Sequence, residues 1–182
     1  MGKSTTAGIL LKLGVAVVDT DQIARDIVQP GQPALEEIKQ QLGAQFINNK
    51  GELLRKELAA EVFRDATKRA KLEAILHPKI REVWFLAVEK WREEKKHAAA
   101  VIIPLLFETG AQSTFSATVC VACSHETQTM RLRGRGWNDE ELRTRIAAQW
   151  PIEKKIALSD YVVWTDTTLA AHEAQLKRLL PC

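Results

Sequence analysis

The 182-residue sequence predicts an α/β fold: a parallel sheet layered between helices and interrupted by an all-helical insertion. Three observations predict it. Short apolar segments alternate with amphipathic ones, the pattern of buried strands joined by helical crossovers. Between residues 34 and 96 that alternation stops, and only helical spacing remains. A Gly2-Lys3-Ser4-Thr5 tetrapeptide stands at the start of a helical stretch, where free backbone N–H groups gather.

Taken in order, Ser4–Lys12 reads as a helix with Ser4 in its first turn, and Gly14 ends it. Val15–Asp19 is a continuously apolar strand that finishes on a carboxylate. A helix from about Gln22 to Val28 follows, broken by Pro30-Gly-Gln-Pro33. Ala34–Leu42, Arg55–Phe63, Asp65–Leu76 and Pro78–Lys95 then carry apolar residues three and four apart, giving four helices with no strand between them. The single domain 1–182 therefore contains an inserted helical subdomain over 30–96. Strands resume at Ala98–Ile103, stopped by Pro104, and at Ala117–Ala122. Helices at Glu126–Arg133 and Asp139–Gln149, a strand at Tyr161–Trp164 and a helix at Leu169–Leu180 complete the chain. Right-handed crossovers between such strands give a parallel sheet.

Composition bounds the function. Hydrophobic residues are 46% and charged residues 27%, the balance of a folded globular protein. A net charge of +3, with Lys and Arg interleaved with Glu, describes a solvated surface and gives no sign of a nucleic-acid partner. No apolar run approaches the ~20 residues a membrane span needs, and no secretory leader is recognisable. Three cysteines, Cys120, Cys123 and Cys182, are too few for a disulfide framework and fit a reducing, cytoplasmic setting. Cys120 and Cys123 lie on a strand, where positions three apart face opposite ways unless the strand ends between them. With no second pair to complete a zinc site, they read as buried structural residues. Most of the five tryptophans read as core as well. Nothing in the sequence specifies an oligomeric state.

A bare Gly-Lys-Ser/Thr arises by chance in about a tenth of chains this size, so its setting must carry it. Here it opens a helix that leads to a buried strand and then to Asp19-Thr20-Asp21. That is the tail of the motif in which glycines let N–H groups wrap phosphates, Lys reaches the outer phosphates and a hydroxyl meets Mg²⁺. The carboxylates stand just beyond a strand's carboxyl end, where open parallel sheets bind ligands. They could orient a metal or accept a proton from an attacking hydroxyl, or Thr20 or Asp21 could cap the next helix.

Further segments fall in one order along the chain. They are Val18-Asp-Thr-Asp-Gln-Ile-Ala-Arg25, Pro30-Gly-Gln-Pro-Ala-Leu35, His77-Pro-Lys-Ile80, Pro104-Leu-Leu-Phe-Glu108 and the Gln128…Arg131-Leu132…Arg135 run, with Arg145, Gln149, Lys155 and Asp160 beyond. Together they resemble the dephospho-coenzyme A kinase family over nearly the whole length. The resemblance implies a P-loop NTPase-like three-layer α/β/α fold, with the insertion binding coenzyme A-like substrate and residues 125–149 acting as a lid. It implies transfer of the ATP γ-phosphate to the ribose 3′-hydroxyl of dephospho-CoA, with ATP and Mg²⁺ as cofactors and no membrane or nucleic-acid partner. By position, Gly2, Lys3, Ser4 and Thr5 would bind ATP, with Lys3 on the phosphates and Ser4 on the metal. Asp21 would be the base. Arg135 would close over the phosphates, with Arg131 as a second lid cation. Arg25, His77, Arg81 and Glu108 would shape the acceptor site, although His77 beside Pro78 reads equally well as a helix cap.

The sequence departs from the family pattern in three places. The family's first strand and upstream glycines are lacking, so the chain reads as starting within its own phosphate loop. Leu54 stands where an Asp is usual, and Trp164-Thr-Asp-Thr167 replaces an Asn-Gly-type stretch that contacts adenine. Two other readings stay open on the residues alone: a non-catalytic nucleotide-binding remnant, and a different small-molecule P-loop kinase.

Overall fold

The computed structural model describes residues 2–134 and 136–180, with the side chains of all of these except Glu141 and Arg145. Two compact units make it up, Met1–Val17 with His97–Cys182, and Val18–Lys96.

The first unit opens with α1 (Lys3–Lys12), which ends as the sequence predicts. Gly14 takes φ 79°; its N–H donates to Leu11 O at 3.1 Å, and that of Val15 to Leu10 O at 3.0 Å. This doubly bonded turn needs a left-handed residue, which glycine adopts without a Cβ penalty. β1 (Ala16–Asp19) follows and neighbours β2 (Ala99–Ile102), the Ala16 N–H reaching Ala98 O at 3.4 Å. β3 (Val119–Ala122) and β4 (Tyr161–Trp164) are parallel, with Val119 opposite Tyr161 and Ala122 opposite Trp164. The expected α/β architecture is therefore present as two two-stranded sheets. Their connections carry α6 (His125–Arg133), α7 (Asp139–Ala147), α8 (Ile152–Leu158) and, after β4, α9 (Leu169–Leu179). One core joins them: Ile9 and Leu10 of α1, Val15, Val163 of β4 and Leu176 of α9, with Val17, Ala98 and Ala100 packed against it. Val163 is fully buried, which stabilises the fold by about 1.5–3 kcal/mol. α8 escapes the sequence reading because two turns are too short for periodicity to declare a helix.

The second unit is helical. α2 (Thr20–Asp26) is capped by Asp19, whose Oδ1 accepts from the Asp21 N–H at 2.9 Å. That overturns the alternative in which Thr20 or Asp21 caps this helix. Asp19 fills the role because it is the last extended residue before the helix, and Thr20 and Asp21 are already helical. α3 (Pro33–Leu42) starts on a proline that lacks only an N–H the first turn could not use. Its Ala34, Leu35, Ile38 and Leu42 face a core shared with Val28, Phe46, Leu58, Val62 and Ile75. α4 (Arg55–Arg64) and α5 (Ala66–Glu93) close the unit.

Three expectations fail here. The helices expected on either side of Pro78 are one 28-residue helix, α5, with Pro78 inside it and His77 far from either end. Proline there forfeits the bond to the Ala74 carbonyl and costs about 3 kcal/mol in a helix interior. Packing outweighs that cost: Ile75 before the proline and Trp84 after it are each 3% exposed, and α5 packs on α2, α3 and α4. The cap reading of His77 falls with the break. Of the tryptophans, Trp84 alone is buried. Trp164 lies on the open face of β4, and the Trp150 ring carries the Lys154 ammonium 3.3 Å from its centroid. Indole's polar edge and cation-attracting face make such half-exposed sites acceptable.

α4 begins at Leu54 without a side-chain cap bond. Leu54→Asp should therefore stabilise the protein by about 1 kcal/mol, read as a higher urea midpoint. An unchanged midpoint would mean that the first N–H groups of α4 gain nothing from a carboxylate.

Candidate active site

A helix start gathers N–H groups that no carbonyl of the preceding turn can meet, and the start of α1 is the candidate anion site. Gly2 precedes it in the left-handed region, φ 75° and ψ 9°. A Cβ at that position would stand 3.2 Å from Thr165 Cγ2, so the backbone angle favours glycine and the space beside it is tight. Lys3 is half-buried, whereas Ser4 and Thr5 are exposed at the helix start. Behind them Thr6 is 3% exposed, and its hydroxyl donates to Gly2 O at 3.1 Å. The same hydroxyl lies 3.0 Å from Nε2 of His172, a buried side chain on α9. Burial, then the charge of Arg131, hold the His172 pKa below the ordinary histidine value.

The carboxyl ends of β3 and β4 are tied together beside this helix start. Thr165, the residue after β4, donates its N–H to Ala122 O at 2.9 Å and its hydroxyl to the same oxygen at 3.1 Å. Asp166 accepts from the Ser124 N–H at 2.9 Å and the Ser124 hydroxyl at 2.7 Å, bonds that hold its carboxyl below the usual range. Ser124 in turn caps α6. Arg131, in the last turn of α6, donates from Nη1 to Thr165 Oγ1 at 2.9 Å and from Nη2 to Thr165 O. One threonine thus packs on Gly2 and holds Arg131. Arg135 lies outside the described residues.

Glu108, after β2, sits in a buried pair. Its Oε1 is 2.7 Å from Lys155 Nζ and accepts the Trp150 N–H at 2.9 Å. Lys155, 7% exposed, also donates to Pro104 O at 3.0 Å. Burial would raise the Glu108 pKa, but the hydrogen bonds from Lys155 and Trp150 outweigh it and lower it. Its Oε2 is buried without a hydrogen-bond partner among the described residues. On the same unit β3 ends at Ala122, between Cys120 and Cys123, and both thiols are buried and free. Burial pushes the Cys120 thiol up, against the pull of Lys155 and Lys3.

In the second unit Asp21 and Arg25 are exposed one turn apart on α2, and His77 and Arg81 are one turn apart on α5, against which α2 packs. The Arg25 carbonyl accepts from Arg55 Nη2 at 2.9 Å. Arg55 borders a cleft of about 260 Å³ lined by Val28, Gln29, Pro30, Glu52 and Leu53. The sequence reading missed Thr6, Thr165, Asp166 and His172. Only the Thr165-Asp166 stretch had been marked, and then as a departure.

Comparison with known proteins identifies the pattern. The family model described as dephospho-CoA kinase matches residues 1–171. A dephospho-CoA kinase of Bdellovibrio bacteriovorus is 39% identical over 162 residues, 89% of this chain and 81% of that one. One from Gloeobacter violaceus is 37% identical over 98% of this chain and 86% of its own. Among solved structures, a Thermus thermophilus protein superposes with a TM-score of 0.80 at 32% identity, covering 98% of this chain and 90% of that one. Dephospho-CoA kinase from Campylobacter jejuni gives a TM-score of 0.70 at 26% identity, covering 98% and 89%.

Lys155→Met strands Glu108 as an unpaired buried carboxylate and should cost about 3–5 kcal/mol in denaturant unfolding. Adding Glu108→Gln should recover much of the loss; a double variant as weak as the single would show that Lys155 acts through packing alone. Because the His172 pKa is lowered in the folded state, protons bind the unfolded chain more readily. Stability should hold above about pH 6.5, the unfolded value, and fall as pH drops towards the folded value. His172→Gln should flatten that part of a melting-temperature profile, and an unaltered profile would place the titration elsewhere.

Proposed function

The chain belongs to the dephospho-CoA kinase family, and on that premise we propose that it transfers the γ-phosphate of ATP to the ribose 3′-hydroxyl of dephospho-CoA, giving coenzyme A and ADP. The observation that carries this reading is the N-terminus of α1, with Gly2 in a left-handed turn and Lys3 immediately inside. N–H groups there would hold the phosphates, and Lys3 would neutralise the charge that shifts as the phosphoryl group leaves.

Among the described residues no group of three or more His, Cys, Asp and Glu could hold a metal on its own. The exposed Ser4 hydroxyl is the proposed protein ligand at this helix start, and a single protein oxygen suits Mg²⁺, which keeps most of its ligands as water and phosphate. Bound there, the ion would screen the phosphate oxygens during transfer. Asp21 is the proposed base, taking the 3′-hydroxyl proton as that oxygen bonds to phosphorus and the bond to ADP breaks. Arg131 and Arg135, on the proposed lid 125–149, would meet the equatorial oxygens. The helical insertion over 30–96 would bind the acceptor through His77 and Arg81, with Arg25 on α2 and Glu108 in the segment that follows β2. A reading as a cytoplasmic enzyme rests on the cysteine content and family; among the described residues no helix is long and apolar enough to cross a membrane.

A coupled ADP-release assay with ATP and dephospho-CoA tests the proposal, and turnover that needs Lys3 supports it. Asp21→Asn should lower kcat by about 10²–10⁴-fold, the usual reach of a general base, with ATP affinity little altered. Nucleotide binding without turnover by the native chain would sink the kinase reading, and equal losses of affinity and rate in Asp21→Asn would remove Asp21 as base.

A further inference from the structure

The hydroxyl of Thr6 has a single hydrogen, and two neighbours compete for it. Gly2 O, 3.1 Å away, can only accept, and it lies within reach of that hydrogen. With the hydrogen directed there, the 3.0 Å contact to His172 Nε2 carries its hydrogen on the ring; directed at Nε2 instead, it requires the Nδ1–H tautomer. The first arrangement, the Nε2–H tautomer donating to Thr6, is the one in which the Thr6 hydroxyl braces Gly2 O. Gly2 O also accepts the Thr6 N–H at 2.9 Å, so the carbonyl is held by two donors from one residue.

We propose that His172, through Thr6, is a positioning residue for the phosphate-binding turn of α1. The peptide linking Gly2 to Lys3 is planar and trans, so its C=O and N–H point in opposite directions. Holding the Gly2 carbonyl back against the helix aims the Lys3 N–H outward, towards an anion at the helix start. Gly2 needs the support, because a left-handed glycine can leave that conformation at little cost. Thr165 braces it from the strand side, and the His172–Thr6 pair braces it from behind. Both residues are 3% exposed, so water cannot stand in for a lost bond.

This inference rests on the reading of that turn as the ATP phosphate site. The test measures ATP binding by calorimetry in full-length variants, with dephospho-CoA turnover followed separately. Thr6→Val keeps the shape and removes the hydroxyl; His172→Leu removes the donor; His172→Gln returns an amide N–H near the Nε2 position. Thr6→Val and His172→Leu should each raise the Kd for ATP about fivefold, the worth of one buried hydrogen bond. The double variant should be no worse than either single, because both act through one bond, and His172→Gln should restore most of the affinity. Ring ¹⁵N shifts of His172 should show the Nε2–H tautomer. Fully additive losses, an unchanged Kd in Thr6→Val, or the Nδ1–H tautomer would overturn the positioning role. If His172→Leu does not fold, Thr6→Val and His172→Gln still decide it. A native chain that binds ATP without phosphorylating dephospho-CoA would remove the kinase reading and leave these affinity ratios to judge His172.

Discussion

The first unit depends on the register of two parallel strands. β3 and β4 pair over four residues, too short a ladder to resist slipping by itself. An aspartate locks it at each end. Asp160 accepts the Thr118 N–H and hydroxyl, both at 2.7 Å, and Asp166 accepts the Ser124 N–H and hydroxyl. Both carboxyls are held below their ordinary range by those bonds. A slip by one residue would turn Val163 out of the core and carry Thr165 away from Gly2 and Arg131 together. The glycine's brace, the arginine's anchor and the cap of α6 are consequences of one alignment.

Much of this was written plainly in the residues. Gly14 as a helix stop, the apolar strands and the helix start behind Gly2 follow from backbone chemistry that acts within a few positions. Family motifs carried identity further than any local rule could. Contacts between distant segments were not legible. Thr6 and His172 are 166 positions apart, and neither looks unusual in its own stretch of chain. Thr165-Asp166 registered only as a mismatch, whereas in the structure it crosslinks strand ends. Pro78 misled because a local rule, that proline breaks helices, met stronger packing around Ile75 and Trp84. The tryptophans misled in the same direction: a large apolar residue was read as core where a sheet face or a neighbouring lysine could receive it.

The two units differ in how they treat charge. In the first, Glu108 and Lys155 form a pair drawn inward, and the exposed Asp160 and Asp166 are tied to hydroxyls and N–H groups. Those groups set geometry. In the second, Asp21, Arg25 and Arg81 stand exposed on helices whose apolar faces form a separate core. Exposed charges keep their hydration until a ligand arrives, whereas buried pairs are fixed beforehand.

The shut-in thiols of Cys120 and Cys123 give the molecule a built-in clock. Cys120 lies within β3 and Cys123 just past its end, between the two aspartate locks, and neither can meet an alkylating reagent while the strand stays closed. Their rate of modification therefore counts how often the strand opens, and mass spectrometry can read that breathing from the mass each alkylated thiol gains.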